Sequence, residues 1–147
     1  MHMRTGHRSL ALILILAACP ATIGCQRGPV MVQVRGKVLN EDGSVITRGI
    51  REIRFEPMDD TTAVMRKTAI GQIQDDGTFE LFTRRPGDGV LLGKYAVTIS
   101  VIKAPRDPVL LIDEKYTTSA TTPFHETIER DVDGLEYKVK MKNAAIN

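Results

Sequence analysis

The chain has 147 residues, 42% hydrophobic and 26% charged, which suits one folded domain and excludes a disordered chain or one that is membrane-spanning throughout. Its formal charge of +2 reflects 20 Lys and Arg against 18 Asp and Glu, and two of the basic residues, Arg4 and Arg8, lie in a segment expected to be removed. The remainder is neutral and has no basic stripe, so its charge gives no reason to expect a nucleic-acid partner.

Met1 to Ser9 is short and basic, and Leu10 to Ala18 follows without a polar residue. A basic start, a brief apolar core and small residues beyond it predict a secretory signal over residues 1–24. A membrane span needs roughly 20 apolar residues, and Pro20 interrupts this run. Both cysteines of the chain stand at its end. Their setting resembles a bacterial lipobox, in which an apolar residue and two small ones precede a cysteine that is acylated and becomes the new N-terminus. Leu16-Ala17-Ala18-Cys19 has the better spelling. Thr22-Ile23-Gly24-Cys25 departs at Thr22 but allows a longer apolar stretch and avoids a proline directly after cleavage. Cys25 is therefore the preferred lipid-attachment residue, with Cys19 the alternative. Two or three acyl chains anchor a protein stably where one binds only marginally, so the expected partner of this end is a membrane. A Cys19–Cys25 disulfide would close only a short tail loop and stabilise nothing downstream.

Residues 25–33 read as a short tether and residues 34–143 as one β domain, because the dominant period from Val30 onward is two. Val30, Val32, Val34, Gly36 and Val38 alternate with polar or outward positions as a first strand. Asn40 to Ser44 is a turn in which Gly43 takes positive φ. Ile53 and Phe55 face inward on a second strand, halted by Pro57, and Val64 to Ile73 forms a third. Asp75-Asp76-Gly77 then predicts a tight hairpin whose central positions both tolerate positive φ. Phe79 and Leu81 point inward beyond it. Tyr95, Val97, Ile99 and Val101 form one of the two cleanest strands, and Leu135, Tyr137, Val139 and Met141 the other.

Between those two, Lys103 to Pro123 reads as loop, with Val109 to Ile112 as a short buried strand. Phe124 to Arg130 is a further strand, closed by a turn at Asp131-Val132-Asp133-Gly134. No stretch carries a helical stripe. About seven strands with turn signals between them indicate an all-β, two-sheet sandwich of Ig-like type.

The ordered series Val34-Arg35-Gly36-Lys37-Val38, Ile53-Arg54-Phe55-Glu56-Pro57, Asp75-Asp76-Gly77-Thr78-Phe79-Glu80-Leu81 and Gly93-Lys94-Tyr95-Ala96-Val97-Thr98 resembles the carboxypeptidase regulatory-like, transthyretin-like sandwich of planctomycete lipoproteins. Ile112-Asp113-Glu114-Lys115-Tyr116 and Ser119 extend the resemblance. It implies a cysteine ending the signal about ten residues before the first strand, which matches Cys25 and Val34. The first turn is longer than usual for that family, and Thr22 is atypical in the lipobox.

Beyond Cys25 the chain has a single histidine, His125, so a zinc site built from His and Cys lacks ligands. Ser100, Ser119, Thr121 and Thr122 supply hydroxyls, but only His125 could serve them as base. Transthyretin-like hydrolases use several histidines and a characteristic C-terminal tail, and this chain has neither. Asp59-Asp60 and Asp75-Asp76 read as turns rather than as calcium loops. Arg84-Arg85 and Arg66-Lys67 read as solvated pairs. Lys37 and Asn143 suggest an isopeptide crosslink, which the outward parity of Lys37 opposes. The expectation is thus a non-enzymatic module of the cell envelope, without catalytic residues, cofactor or metal, that faces the periplasm or cell surface. A carbohydrate- or peptide-binding module is the alternative, with Phe82 and Tyr116 as the aromatics outside the core.

Overall fold

The computed structural model describes residues 28–60 and 65–142. The signal segment, Cys19, Cys25, Val64 and Asn143 lie outside the described residues. The strands are β1 (Met31–Val32), β2 (Val34–Asn40), β3 (Ile50–Pro57), β4 (Ala69–Gln72), β5 (Thr78–Glu80), β6 (Val90–Leu91), β7 (Gly93–Ala104), β8 (Asp107–Leu110), β9 (His125–Ile128) and β10 (Val132–Val139). One 3₁₀ turn, Glu114–Tyr116, is the only helical element among the described residues. No helix there is long and apolar enough to cross a membrane.

The protein is an all-β sandwich. One sheet has the order β10-β2-β5, in which β10 runs parallel to β2 and β5 antiparallel to it. The other has the order β4-β3-β7-β8, and β9 also pairs with β7. The long β7 accommodates both, since β9 takes Gly93 to Ala96 and β8 takes Ile102 and Ala104. Strands β1 and β6 form a separate two-stranded ribbon.

Alternation builds the core. Val34, Val38, Phe79, Leu81, Tyr137 and Val139 come from the smaller sheet, and Ile53, Phe55, Ala69, Tyr95, Val97, Ile99 and Val101 from the larger. Burial at roughly 25 cal/mol per Å² of apolar surface makes this layer the main favourable term. Aromatic rings join the two halves. Tyr137 lies 6.1 Å from Phe79, 6.5 Å from Phe55 and 5.1 Å from Phe124 between ring centroids.

Among the described residues ten strands replace the seven expected, for identifiable reasons. The first run breaks at Gln33, and its halves join different partners, β1 to β6 and β2 to β10 and β5. Met31 and Val32, at the end of residues 25–33, pair with Leu91 and Val90. Val30 is exposed rather than inward. The short strand expected at Val109 to Ile112 forms two residues earlier, as β8, with Ile112 buried but Val109 55% exposed. The third strand shrinks to Ala69–Gln72. The expected turn at Asp131 to Gly134 lies partly within β10, where Gly134 has φ of 84° and the register with β2 shifts between Val132 and Leu135. That is a bulge, which adds a residue without ending the strand.

The hairpin at Asp75 also differs in detail. Gly77 alone takes positive φ, the Gln74 N–H donates to the Thr78 carbonyl, and the Gly77 N–H donates to the Gln74 carbonyl. Three residues, not two, form the loop. Asp76 Oδ1 accepts from both the N–H and the hydroxyl of Thr78, an Asx turn that holds the backbone without left-handed aspartate. Asp42 repeats this arrangement with Ser44.

Candidate functional site

Strand β2 is paired on both edges, so the outward side chains of three strands lie next to one another. In the β10–β2–β5 register, Lys37 stands between Glu136 and Thr78, and Arg35 stands opposite Glu80. The Arg35 guanidinium donates to Glu80 Oε1 at 3.1 Å, with both side chains about half exposed. Ahead of the hairpin, β4 contributes Gln72, and Gln74 stands at the edge of the turn. Gly71 allows β4 to pass close to β5, because a Cβ there would meet the Glu80 carbonyl oxygen at 2.8 Å.

These side chains line a groove of about 760 Å³ together with Phe82, Pro86 and Asp133. That volume lies within the usual range for small-molecule sites, roughly 300–1,000 Å³. Phe82 is held in place by its main chain, which exchanges hydrogen bonds of 2.8 and 2.9 Å with Ile70. Its ring is half-buried, and it is the one aromatic of seven outside the connected cluster of rings. The amide of Gln74 donates to the Gln72 carbonyl at 3.3 Å. Gln72's own amide makes no side-chain hydrogen bond among the described residues.

The loop from Thr83 to Gly89 supports the groove's end. Asp88 accepts from the N–H groups of Thr83, Arg84 and Arg85 at 2.8 to 3.1 Å. Partial burial disfavours its charge, yet those three donors hold its carboxyl below the ordinary range. The Thr83 hydroxyl donates to the Gly89 carbonyl, and Gln33 Nε2 donates to the Gly87 carbonyl.

Other candidate groups sit elsewhere. His125 is exposed on β9 opposite Ala96. The Thr122 hydroxyl donates to the Val97 carbonyl and that of Thr121 to the Lys115 carbonyl, so both are engaged by main chain rather than by His125. Ser100 lies on β7 and Ser119 is exposed in the loop after the 3₁₀ turn. Asp59 pairs with Arg66, Asp60 with Lys94, and Asp75 with Arg51. Among the described residues no three His, Cys, Asp or Glu side chains come together to hold a metal ion. Lys37 is exposed.

Tyr116 corrects its expected place as a spare surface aromatic. It is buried and stacks on Phe124 at 5.6 Å, with the Lys115 ammonium over its ring at 4.8 Å. Phe82 alone keeps that standing. Arg35, Lys37, Glu80 and Glu136 are outward positions in the sequence, and parity marks them only as solvent-facing. Their assembly requires knowing that β10, β2, β5 and β4 are consecutive neighbours in space.

No protein-family model, curated protein or solved structure matches this chain.

Proposed function

We propose that the chain is a non-enzymatic exported protein, tethered to a membrane through acyl chains on Cys25, or alternatively Cys19. In this reading it serves as an interaction or structural module of the cell envelope. The ordered short motifs support placing it with the planctomycete-type lipoproteins that carry a carboxypeptidase regulatory-like domain. The observation that carries the proposal is the layout of the N-terminal part: a basic start, Leu10 to Ala18 without polar groups, then a cysteine only a few residues before β1.

The mass of the N-terminal peptide of the native protein tests this. Acylated Cys25 or Cys19 is the expected result, and an unmodified, soluble N-terminus overturns the tether. Hydrolase activity of the purified protein on generic ester or amide substrates would overturn the non-enzymatic part.

A second reading, a carbohydrate- or peptide-binding module, is favoured by one observation. Phe82 stands outside the ring cluster and lines the groove. An array of glycans and peptides tests it, with binding to either class expected and binding to neither refuting it.

A further inference from the structure

We propose that the groove across β10, β2, β5 and β4 binds an uncharged oligosaccharide, with Phe82 as the stacking face and Gln72 as a hydroxyl-reading amide. The proposal rests on the second reading above and narrows it to one ligand class and one site.

The strand order argues against strand addition at the middle of this groove. Strand addition needs an edge with unpaired main-chain groups. Here β2 is paired by β10 on one side and β5 on the other, so main-chain hydrogen bonds are already made at the middle of the groove. Over β2 a ligand is therefore read by side chains, and main-chain pairing is left only to the outer strands β10 and β5.

The side chains present suit hydroxyls. Charges of both signs are interleaved here: Arg35 is bonded to Glu80, Glu136 pairs with Lys138 at 3.5 Å, and Lys37 stands next to Glu136 in the strand register. Such neighbouring pairs offer donors and acceptors together, and neither sign dominates enough to select an ion. A carboxylate-bearing ligand would meet Glu80, Glu136 and Asp133, and a cationic one would meet Arg35 and Lys37. Gln72 adds an amide able to donate and accept at once, with no side-chain partner of its own. The electron-rich face of Phe82 attracts the weakly positive C–H groups on a sugar ring. Pro86 extends this apolar wall.

The experiment uses the full-length protein in detergent, screened on a glycan array and then titrated with cello-, manno- and chito-oligosaccharides. Binding of one uncharged series is expected, weakened at least tenfold by both Phe82→Ala and Gln72→Ala and unchanged by Thr117→Ala. Thermal melting confirms that each variant folds, and the exposed Gln72 guards against a Phe82 variant that does not. If sugar binding survives both substitutions, the groove assignment falls while the binding-module reading stands. No uncharged binder, or a preference for acidic glycans, overturns the proposal. A peptide that binds instead, and is lost with Phe82→Ala, would keep the binding-module reading and give the groove to a polypeptide.

Discussion

Arg51, on the inner face of β3, donates from Nη2 to Asp75 Oδ1 at 2.6 Å, joining a side chain that is 9% exposed to one that is 92% exposed. Its Nη1 donates to the Ile46 carbonyl at 2.5 Å, while Nε is buried without a partner. One guanidinium therefore ties the β4–β5 hairpin to the chain ahead of β3. The two partners are expected to behave unequally. Arg51→Ala leaves a cavity and an unpaired Ile46 carbonyl, a loss of about 3 kcal/mol. Asp75→Ala keeps the packing and the Ile46 bond but takes away one of the two groups that offset the burial of Arg51, a smaller loss of about 1.5 kcal/mol. Urea denaturation of both variants checks the order, and equal losses would contradict it.

Gly36 is the second sensitive position. An added Cβ would lie 2.8 Å from both Leu135 Cβ and Phe79 Cζ, and closer still to the Leu135 carbonyl oxygen. Main chain cannot yield as a flexible side chain does, so Gly36→Ala must push β10 away from β2. A destabilisation of about 3 kcal/mol is expected, at the upper end for overpacking. Gly43→Ala is a useful contrast, since nothing lies within 4 Å of its added Cβ and only the positive φ is penalised. Thermal denaturation should rank Gly36→Ala as the more damaging.

Tyr137 separates packing from hydrogen bonding. Its hydroxyl donates to Glu126 Oε1 at 2.9 Å, and its ring meets Phe55, Phe79 and Phe124. Tyr137→Phe should cost about 1 kcal/mol, since the half-buried Glu126 keeps access to water. Tyr137→Ala should cost about 4 kcal/mol by opening the centre of the ring cluster. Chemical denaturation of the two variants measures the difference.

Stability should fall at both pH extremes. Hydrogen bonds from Ser44 hold Asp42 below its ordinary range, and those from Thr78 do the same for Asp76. At Asp88 burial opposes the charge, and the three N–H donors outweigh it. A carboxyl with a lowered folded-state value contributes stability above its unfolded value of about 4, and loses it as pH falls through the folded value. The melting temperature should therefore drop below about pH 4, and less steeply in Asp88→Asn. Burial pushes Tyr95 up to about 12. Its contribution is complete below the unfolded value of about 10 and disappears as pH rises from there towards 12. A melting curve across pH 2–12 tests both limbs, and a flat acid limb would contradict the carboxylate assignment.

Alternation along single strands was legible without the structure. Ile53, Phe55, Phe79, Leu81, Tyr95, Val97 and Val139 are buried where period two put them, because side-chain direction in a strand is a local consequence of the pleat. The glycines of the Asn40 and Asp75 turns were equally visible, since positive φ restricts the residue type. Arg51 escaped notice for the same reason that parity worked elsewhere. It occupies an inward position with a charged side chain, and only Asp75 and the Ile46 carbonyl explain how that burial is tolerated.

Partner choice had no local mark. Nothing in Val34 announces a parallel partner at Val132, and nothing in Gln33 announces that the strand will split between a ribbon and a sheet. Such pairings depend on which distant apolar faces bury one another, a property of the whole chain. The groove follows the same logic. Arg35, Gln72, Phe82 and Glu136 become neighbours only when β2, the β4–β5 hairpin and β10, three regions far apart in sequence, come together, so their residue types could be read from the chain while their shared surface came from the packing.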